Sequence, residues 1–403
     1  MKTAKVIVGA GFGDEGKGHI TDYYSSEYGK NCLVVRFNGG AQAGHTIVTP
    51  DNKRHVFHHL GSGSFTGAKT FLSKFFVVNP ILFNKEWQEL RVLGIKPKVY
   101  VDPNCLVSTL YDMIINQIIE NHRGDKKHGS CGVGFNETIE RSTNPKFRLQ
   151  VKDLYDHDRS LLILRRIVSQ YLPQRIAKLG IDKIPDFYLD ILTSPTAVEN
   201  YFTDCMFLTS YIEMISDIIL MIEDNIIFEG AQGLLLDQDH HYFPYVTRSK
   251  TGIHNVIELI SGSNIDNLDV TYVTRPYATR HGVGPFPHEI LDTVTTTNLT
   301  TKDKTNTHNK FQGGLRFGYI DIDLLRDTIH NDLLKVDDMT YKHNIAITCM
   351  DHIDHVNFIQ SSSYLEKGKE EFIDYLTNEI MPHSIYIGNG PTRNDIERRF
   401  PWK

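Results

Sequence analysis

A chain of 403 residues that is 40% hydrophobic can bury a large core, while its net charge of −6 and scattered basic residues argue against a nucleic-acid surface. The five cysteines, Cys32, Cys105, Cys131, Cys205 and Cys349, are widely spaced without a Cys-x-x-Cys pair, which speaks for a reducing compartment and against a structural zinc site. The N-terminus enters an apolar strand with no charged leader, and no apolar run reaches the roughly 18 residues of a membrane span, so a cytoplasmic location with no membrane partner is expected.

The first predicted strand, Val6–Val8, leads into GAGFGDEGKGHITDYY, Gly9–Tyr24. Gly11, Gly13, Gly16 and Lys17 fit both the P-loop spacing and the dinucleotide fingerprint. Each fit has a defect. Gly18 stands where a P-loop carries its magnesium-holding Ser or Thr, and Asp14 and Glu15 would oppose a pyrophosphate. The shared physics is a glycine turn whose backbone N–H groups approach an anion at the start of a helix, predicted over Gly18–Tyr28, with Lys17 as counter-charge.

A strand over Cys32–Phe37 precedes NGGAQAGHTIV, Asn38–Val48, where glycines let the backbone approach a ligand and His45 is a candidate acid. A glycine turn around a buried histidine is an equal reading. Helices over Ile81–Leu93 and Val107–Asn121 flank a strand at Val99–Val101, and HGSCGVGF, His128–Phe135, is a further glycine loop. The glycine-poor segment 148–224, with predicted helices Ser160–Lys178 and Thr196–Ile222, reads as a helical subdomain. A strand over Ile226–Phe228 feeds FEGAQGLLLDQDH, Phe228–His240, where the Gln232 amide can both donate to and accept from a purine edge. An ordinary strand-to-helix turn reads as well there.

Strand Val270–Val273 precedes TRHGVGPFPHE, Thr279–Glu289, and the Thr-rich stretch Thr293–Lys310 reads as a mobile loop. Helix Ile322–Asn331, strand Ile345–Thr348, helix Leu365–Ile380, strand Ile385–Ile387 and loop Gly388–Arg393 complete the chain. His58–His59 read as a turn or surface pair, His240–His241 as a frame for the Asp239 loop, and Arg398–Arg399 as a solvated helix end. Apolar strands alternating with helices predict an α/β fold, a mainly parallel central sheet with helices on both faces in one domain spanning 1–403. Ligands of such sheets bind just beyond the strand ends, where the glycine loops fall.

Taken together, GDEGKG, GGxxAGHT, FEGAQGxLLDxDH, PYVT, TRxGxGPFPxE and a late GPxR resemble the adenylosuccinate synthetase family, in the family's order and from Val6 to Arg393. The resemblance implies a P-loop NTPase-like fold and a ligase that condenses L-aspartate with the 6-position of inosine monophosphate at the expense of GTP. In the family the 6-oxygen is phosphorylated first, and the amine of aspartate then displaces the phosphate. Asp14 matches the base that takes the purine N1 proton, His45 the acid facing the transferred phosphoryl group, Lys17 the loop lysine, and Gln232 the amide at the 6-oxygen. Asp14 and the carbonyl of Gly44 match the magnesium ligands. Thr247 and Arg141 match contacts to the purine monophosphate's phosphate, and in the family that arginine comes from a neighbouring subunit, so a homodimer is implied. Gly13, Glu15, Gly16, Gly18, Gln42, Ala43, Thr46, Ser130, Leu236, Arg280, Gly282, Gly388 and Gly390 fall on the same motifs as nucleotide or substrate contacts.

Three departures stand out. The family's arginine run before Gly-Trp-Leu-Asp is NKFQGGLRFGYID here, Asn309–Asp321, which leaves Arg316 for aspartate. The guanine-reading Thr-Lys-Leu-Asp is Thr348-Cys349-Met350-Asp351, so Asp351 can still accept from guanine, with ATP as the other donor. The purine loop shortens to Gly129-Ser130-Cys131-Gly132-Val133-Gly134, and Gln42 replaces an asparagine. These changes keep a phage-type alternative open, in which deoxyguanosine monophosphate becomes 2-aminoadenylosuccinate and the location is the host cytoplasm. Phage enzymes of that kind often lack the loop aspartate, so Asp14 favours inosine monophosphate. A non-catalytic purine-nucleotide-binding regulator is the reading from another class, and the joint presence of Asp14, Lys17, His45 and Gln232 argues against it.

Overall fold

The structure, a computed structural model, describes residues 2–124, 129–303, 306, 313–336 and 339–402. Its centre is a ten-stranded sheet. In chain order the strands are β1 (Lys2–Gly9), β2 (Cys32–Arg36), β3 (Lys69–Leu72), β4 (Val99–Val101), β5 (Glu213–Met214), β6 (Asn225–Gly233), β7 (Ile265–Thr274), β8 (Thr340–Ile347), β9 (Ile385–Gly388) and β10 (Ile396–Arg399). They lie in the order β10-β9-β8-β7-β1-β6-β2-β3-β4-β5, every pair parallel except β9 with β10.

β1 shows why these strands read as unbroken apolar runs. Ile7 packs on one face against Ile20 and Tyr24 of helix α1 (Lys17–Ser26), while Val6 and Val8 pack on the other with Val256, Leu259 and Ile322. Both faces are covered, so alternation with polar residues is absent. The parallel arrangement puts the ends of β1, β2, β6, β7, β8 and β9 at one edge, with the loops Gly11–Lys17, Gly39–Thr46 and Gly388–Arg393 beyond them.

Helices His157–Arg166, Leu172–Lys178, Asp186–Thr193 and Pro195–Tyr211 occupy the segment 148–224. Their apolar sides join those of helices Pro80–Val92 and Leu110–Arg123 in one cluster that includes Phe83, Ile115, Leu164 and Leu208. The predicted helix Thr196–Ile222 is not continuous. It ends at Tyr211, β5 follows, and a short turn spans Ile219–Ile222. Leu365–Ile380 likewise divides, since Ser363–Gly368 pairs antiparallel with His355–Gln360 and the helix begins at Lys369. Of the Thr-rich stretch, Thr293–Lys302 is helical, capped by the Asp292 carboxylate, which accepts from Val294 N and Thr295 N; residues 304, 305 and 307–310 lie outside the described set. The predicted solvated helix end at Arg398–Arg399 is the strand β10. His59 is not a surface residue but fully buried, with Nδ1 beside Glu86 Oε2 at 3.2 Å and Nε2 accepting from Asn79 N at 3.0 Å.

Candidate active site

The loop after β1 turns through left-handed backbone at Gly13 (φ 94°), Asp14 (φ 64°) and Gly16 (φ 94°). Its acidic residues divide the labour. Glu15 is buried and holds the loop: its Oε1 accepts from Gly11 N at 3.0 Å and Gly13 N at 2.7 Å, and its Oε2 from Lys17 Nζ at 2.6 Å. Asp14 instead faces outward, its side chain 25% exposed, and its Oδ2 lies 3.6 Å from His281 Nε2. Two glycines make this packing possible. A Cβ on Gly9 would lie 2.4 Å from Glu15 Oε2, and one on Gly233 2.2 Å from Gly11 O. Thr348 Oγ1 donates to Glu15 O at 2.6 Å and ties the loop to the end of β8.

Gly18 departs from the P-loop pattern for a steric reason. A Cβ there would stand 2.8 Å from His45 Cβ and 2.8 Å from Ser62 Oγ, so the place of the usual hydroxyl is filled by the strand that carries His45. Gly18→Ser is therefore expected to overpack this contact and destabilise the protein by about 1–3 kcal/mol. Urea titration checks it, and a midpoint unchanged from the parent would contradict the packing account.

His45 begins the first strand of an antiparallel hairpin, His45–Val48 with Arg54–Phe57. Its Nδ1 is 2.6 Å from Glu229 Oε1, and Glu229 also accepts from Ser62 N at 3.0 Å and from Ser62 Oγ. Arg36 lies fully buried in the adjacent strand β2. Burial alone pulls the Glu229 carboxyl's pKa up, but the His45 and Arg36 charges and the hydrogen bonds outweigh it and hold it at about 2. For His45, burial pulls the imidazole's pKa down, opposed by Glu229 and reinforced by Arg36 and Lys17. Glu229 is thus an ionised acceptor that fixes the Nδ1–H tautomer. His45 Nε2 is buried without a partner among the described residues. With Nδ1–H held by Glu229, protonation at Nε2 gives the ring a second donor aimed at a ligand oxygen, and the Glu229 charge favours that protonated form.

Gln232, at φ 58°, is beside the loop: a Cβ on Gly13 would lie 3.7 Å from Gln232 Cα, and one on Gly39 3.7 Å from Gln232 Oε1 and 3.6 Å from Gln42 Nε2. The two amides therefore converge, and Gln232 Oε1 and both polar atoms of Gln42 are buried without partners among the described residues, as is Thr46 Oγ1. Such groups mark a place where a ligand supplies hydrogen bonds. Ala43 O accepts from His58 Nδ1 at 2.9 Å. Asn116 Nδ2 reaches Ser130 Oγ at 2.8 Å, and a Cβ on Gly129 would lie 2.6 Å from Gly282 Cα, so the shortened glycine loop abuts the Gly282 turn. His128 of that motif lies outside the described residues. Thr247 N donates to Leu236 O at 3.0 Å, which draws these two together.

Farther along the sheet edge, Asp351 is exposed in the turn after β8, near the half-buried ring of His19 on α1 and the turn at Thr392–Asp395 after β9. A Cβ on Gly388 would lie 3.7 Å from His19 Cε1, and one on Gly390 2.7 Å from Asp395 Cγ. Arg393 pins this end by hydrogen-bonding both oxygens of Asp22 at 2.9 Å.

Two expectations change. Arg141 does not reach outward to another subunit: it is fully buried, with Nε on Asp112 Oδ1 at 2.8 Å, Nη2 on Asp112 Oδ2 at 2.9 Å and on Val107 O at 2.8 Å, and Nη1 on Phe147 O. An arginine held this way is a structural anchor. Arg316 has its fork on Glu289, Nε to Oε1 at 2.7 Å, and its Nη1 on Gly282 O at 3.1 Å and Gly284 O at 3.0 Å. It clasps the TRHGVGPFPHE loop, with four of its five N–H hydrogens engaged within its own chain. Arg280, its partner across the antiparallel strand pair Ala278–His281 with Leu315–Gly318, lies on the Phe12 ring at 4.6 Å and donates from Nη2 to Tyr245 O at 2.7 Å. Residues 309–312 of the aspartate-loop text lie outside the described set. Sequence reading missed the parts of Glu229, Ser62, Arg36 and His281. Glu229 stood inside a quoted motif, whereas Ser62 sits in an unremarked Gly-Ser-Gly-Ser run whose meaning appears only when it meets β6.

The family model for adenylosuccinate synthetase matches residues 6–383. The adenylosuccinate synthetase of Francisella philomiragia is 31% identical over 380 residues, covering 92% of this chain and 83% of that one. That of Xylella fastidiosa (strain M12) is 32% identical over 307 residues, 73% of this chain and 67% of its own. Among solved structures, the fully ligated adenylosuccinate synthetase of Plasmodium falciparum shares the fold at TM-score 0.72 and 20% identity, covering 98% of this chain and 99% of that one. The succinoaminodeoxyadenylate synthetase of cyanophage S-2L, bound to dGMP and to dATP as an energy donor, shares it at TM-score 0.59 and 15% identity, over 98% and 95%. With its fold, its loop set and nearly its whole length matched, this chain belongs to the adenylosuccinate synthetase family, carbon–nitrogen ligases that condense aspartate with a purine nucleotide.

Proposed function

We propose that the site converts inosine 5'-monophosphate and L-aspartate to adenylosuccinate, with GTP as phosphoryl donor. The observation that carries this reading is the outward-facing Asp14 carboxylate on a loop whose fold is held by Glu15 and Lys17. Asp14 takes the N1 proton, electron density moves onto O6, and O6 attacks the γ-phosphorus of GTP with GDP leaving. The Gln232 amide orients O6, while His45, backed by Glu229, meets the oxygens of the transferring group. The aspartate amine then adds at C6, the C6–O bond breaks, and phosphate departs with its oxygen. Magnesium fits the donor set proposed for it: Asp14 offers a partly exposed carboxylate and Gly44 is exposed, and magnesium uses one or two protein oxygens alongside nucleotide phosphates and water. When bound, it would supply positive charge against the nucleotide phosphates during transfer. Asp351 is the proposed guanine reader, since it accepts where adenine offers no donor pair. The homodimer rests on the family alone, because Arg141 is anchored in its own chain.

The deoxyguanosine monophosphate reading keeps one support, the paired unsatisfied amides of Gln42 and Gln232, which can serve a differently decorated base. A panel of inosine, deoxyinosine, guanosine and deoxyguanosine monophosphates, each with aspartate and either GTP or ATP, separates the readings by mass detection of the succinyl product. Inosine monophosphate with GTP is expected to turn over at least about tenfold faster than any other pairing, since one discriminating hydrogen bond is worth about 1.4 kcal/mol. Faster turnover of deoxyguanosine monophosphate would replace this reading with the alternative.

A further inference from the structure

We propose that His281 is a positioning residue for Asp14, a role that rests on the reading of Asp14 as the base. The strand Ala278–His281 runs along the glycine loop and presents alternate residues to it. Thr279 Oγ1 donates to Gly13 O at 2.9 Å, and His281 Nε2 comes to 3.6 Å from Asp14 Oδ2. Arg280, between them, turns the other way onto Phe12.

The neighbours of His281 fix which ring nitrogen carries hydrogen. Asn306 Nδ2 donates to Asp303 Oδ2 at 2.9 Å, which directs Asn306 Oδ1 toward His281 Nε2 at 3.3 Å. Both groups that face Nε2 are thus oxygens that accept, so Nε2 bears the hydrogen. Nδ1 is buried with no partner among the described residues, so nothing anchors the ring from behind. The ring is steered from its Nε2 side alone, between Asn306 and Asp14.

Asp14 needs such a partner. Among the described residues its carboxylate accepts no hydrogen bond within 3.5 Å, and its backbone is in the left-handed region. A base must hold one oxygen within about 2.6–3.2 Å of the proton it takes. A donor on one lone pair of Oδ2 fixes the carboxylate plane, leaving Oδ1 for the purine N1–H and the second lone pair of Oδ2 for the proposed magnesium. Movement of Nε2 by about 0.5–1 Å from Asn306 toward Asp14 turns the present contact into that hydrogen bond.

The test compares His281→Val and His281→Gln with the parent and with Asp14→Asn, in steady-state turnover of inosine monophosphate, aspartate and GTP, with thermal midpoints measured alongside. Val is expected to lower kcat about 10- to 100-fold while the three KM values move less than about threefold, because the contact orients a group without binding substrate. Gln, which also offers an N–H, is expected to recover most of the loss. A parental kcat in the Val variant overturns the proposal, as does a Gln variant no better than Val at an equally lowered midpoint. If Val does not fold, His281→Asn replaces it; Asn donates from a shorter side chain, so Gln and Asn with equal kcat would also overturn it. Asp14→Asn separates the two claims: turnover retained there sinks the base itself, whereas an inactive Asp14→Asn beside a fully active His281→Val sinks only the role of His281.

Discussion

Asp14→Asn is expected to cut formation of the succinyl product at least about 1000-fold while the purine monophosphate still binds with near-parental affinity. The amide has nearly the shape of the carboxylate, so the left-handed turn at position 14, a conformation that asparagine tolerates well, is preserved. The anion-facing loop is held by Glu15, Lys17 and Thr348, none of which the change touches. What is lost is the capacity to accept the N1 proton, and without it O6 is a poor nucleophile toward phosphorus. Calorimetric titration with the purine monophosphate, beside product detection by mass, checks both halves. A variant that fails to bind would show a structural role for Asp14, and one that turns over normally would remove it from the chemistry.

The second large effect is expected at His45 and Glu229. His45→Asn should lower kcat about 100- to 1000-fold, and Glu229→Gln about 10- to 100-fold, because the carboxylate acts through the ring. The double variant should be no worse than His45→Asn alone, since Glu229 has no route to the phosphoryl group except the imidazole. Strictly multiplicative losses would mean that the two act independently. Glu229→Gln should also cost stability, because Ser62 N and the buried Arg36 then face a neutral amide where a carboxylate stood. A denaturant titration of the same variants separates that cost from catalysis.

The sequence made the central sheet legible because its strands are short, apolar and separated by helices, a pattern that only coverage on both faces produces. It also exposed the glycine loops, since backbone at Gly13 and Gly16 needs residues that accept positive φ. The edge elements were not legible. β5 consists of two exposed residues, and Thr293–Lys302 is helical despite a threonine-rich composition, held by the Asp292 cap and the burial of Leu299. The division of work between Asp14 and Glu15 could not be read from adjacency, because it depends on which carboxylate the turn points inward. Arg141 and Arg316 show the same limit. A motif does not say which carboxylates of its own chain a basic residue will meet, and here Asp112 takes the fork of Arg141 and Glu289 that of Arg316.

The most direct test follows the oxygen. Inosine monophosphate labelled with oxygen-18 at the 6-position, incubated with aspartate and GTP, should release phosphate that carries the label in step with succinyl product, and Asp14→Asn should release neither. Unlabelled phosphate formed at the rate of product would show that the purine oxygen never attacks phosphorus, and would contradict the account.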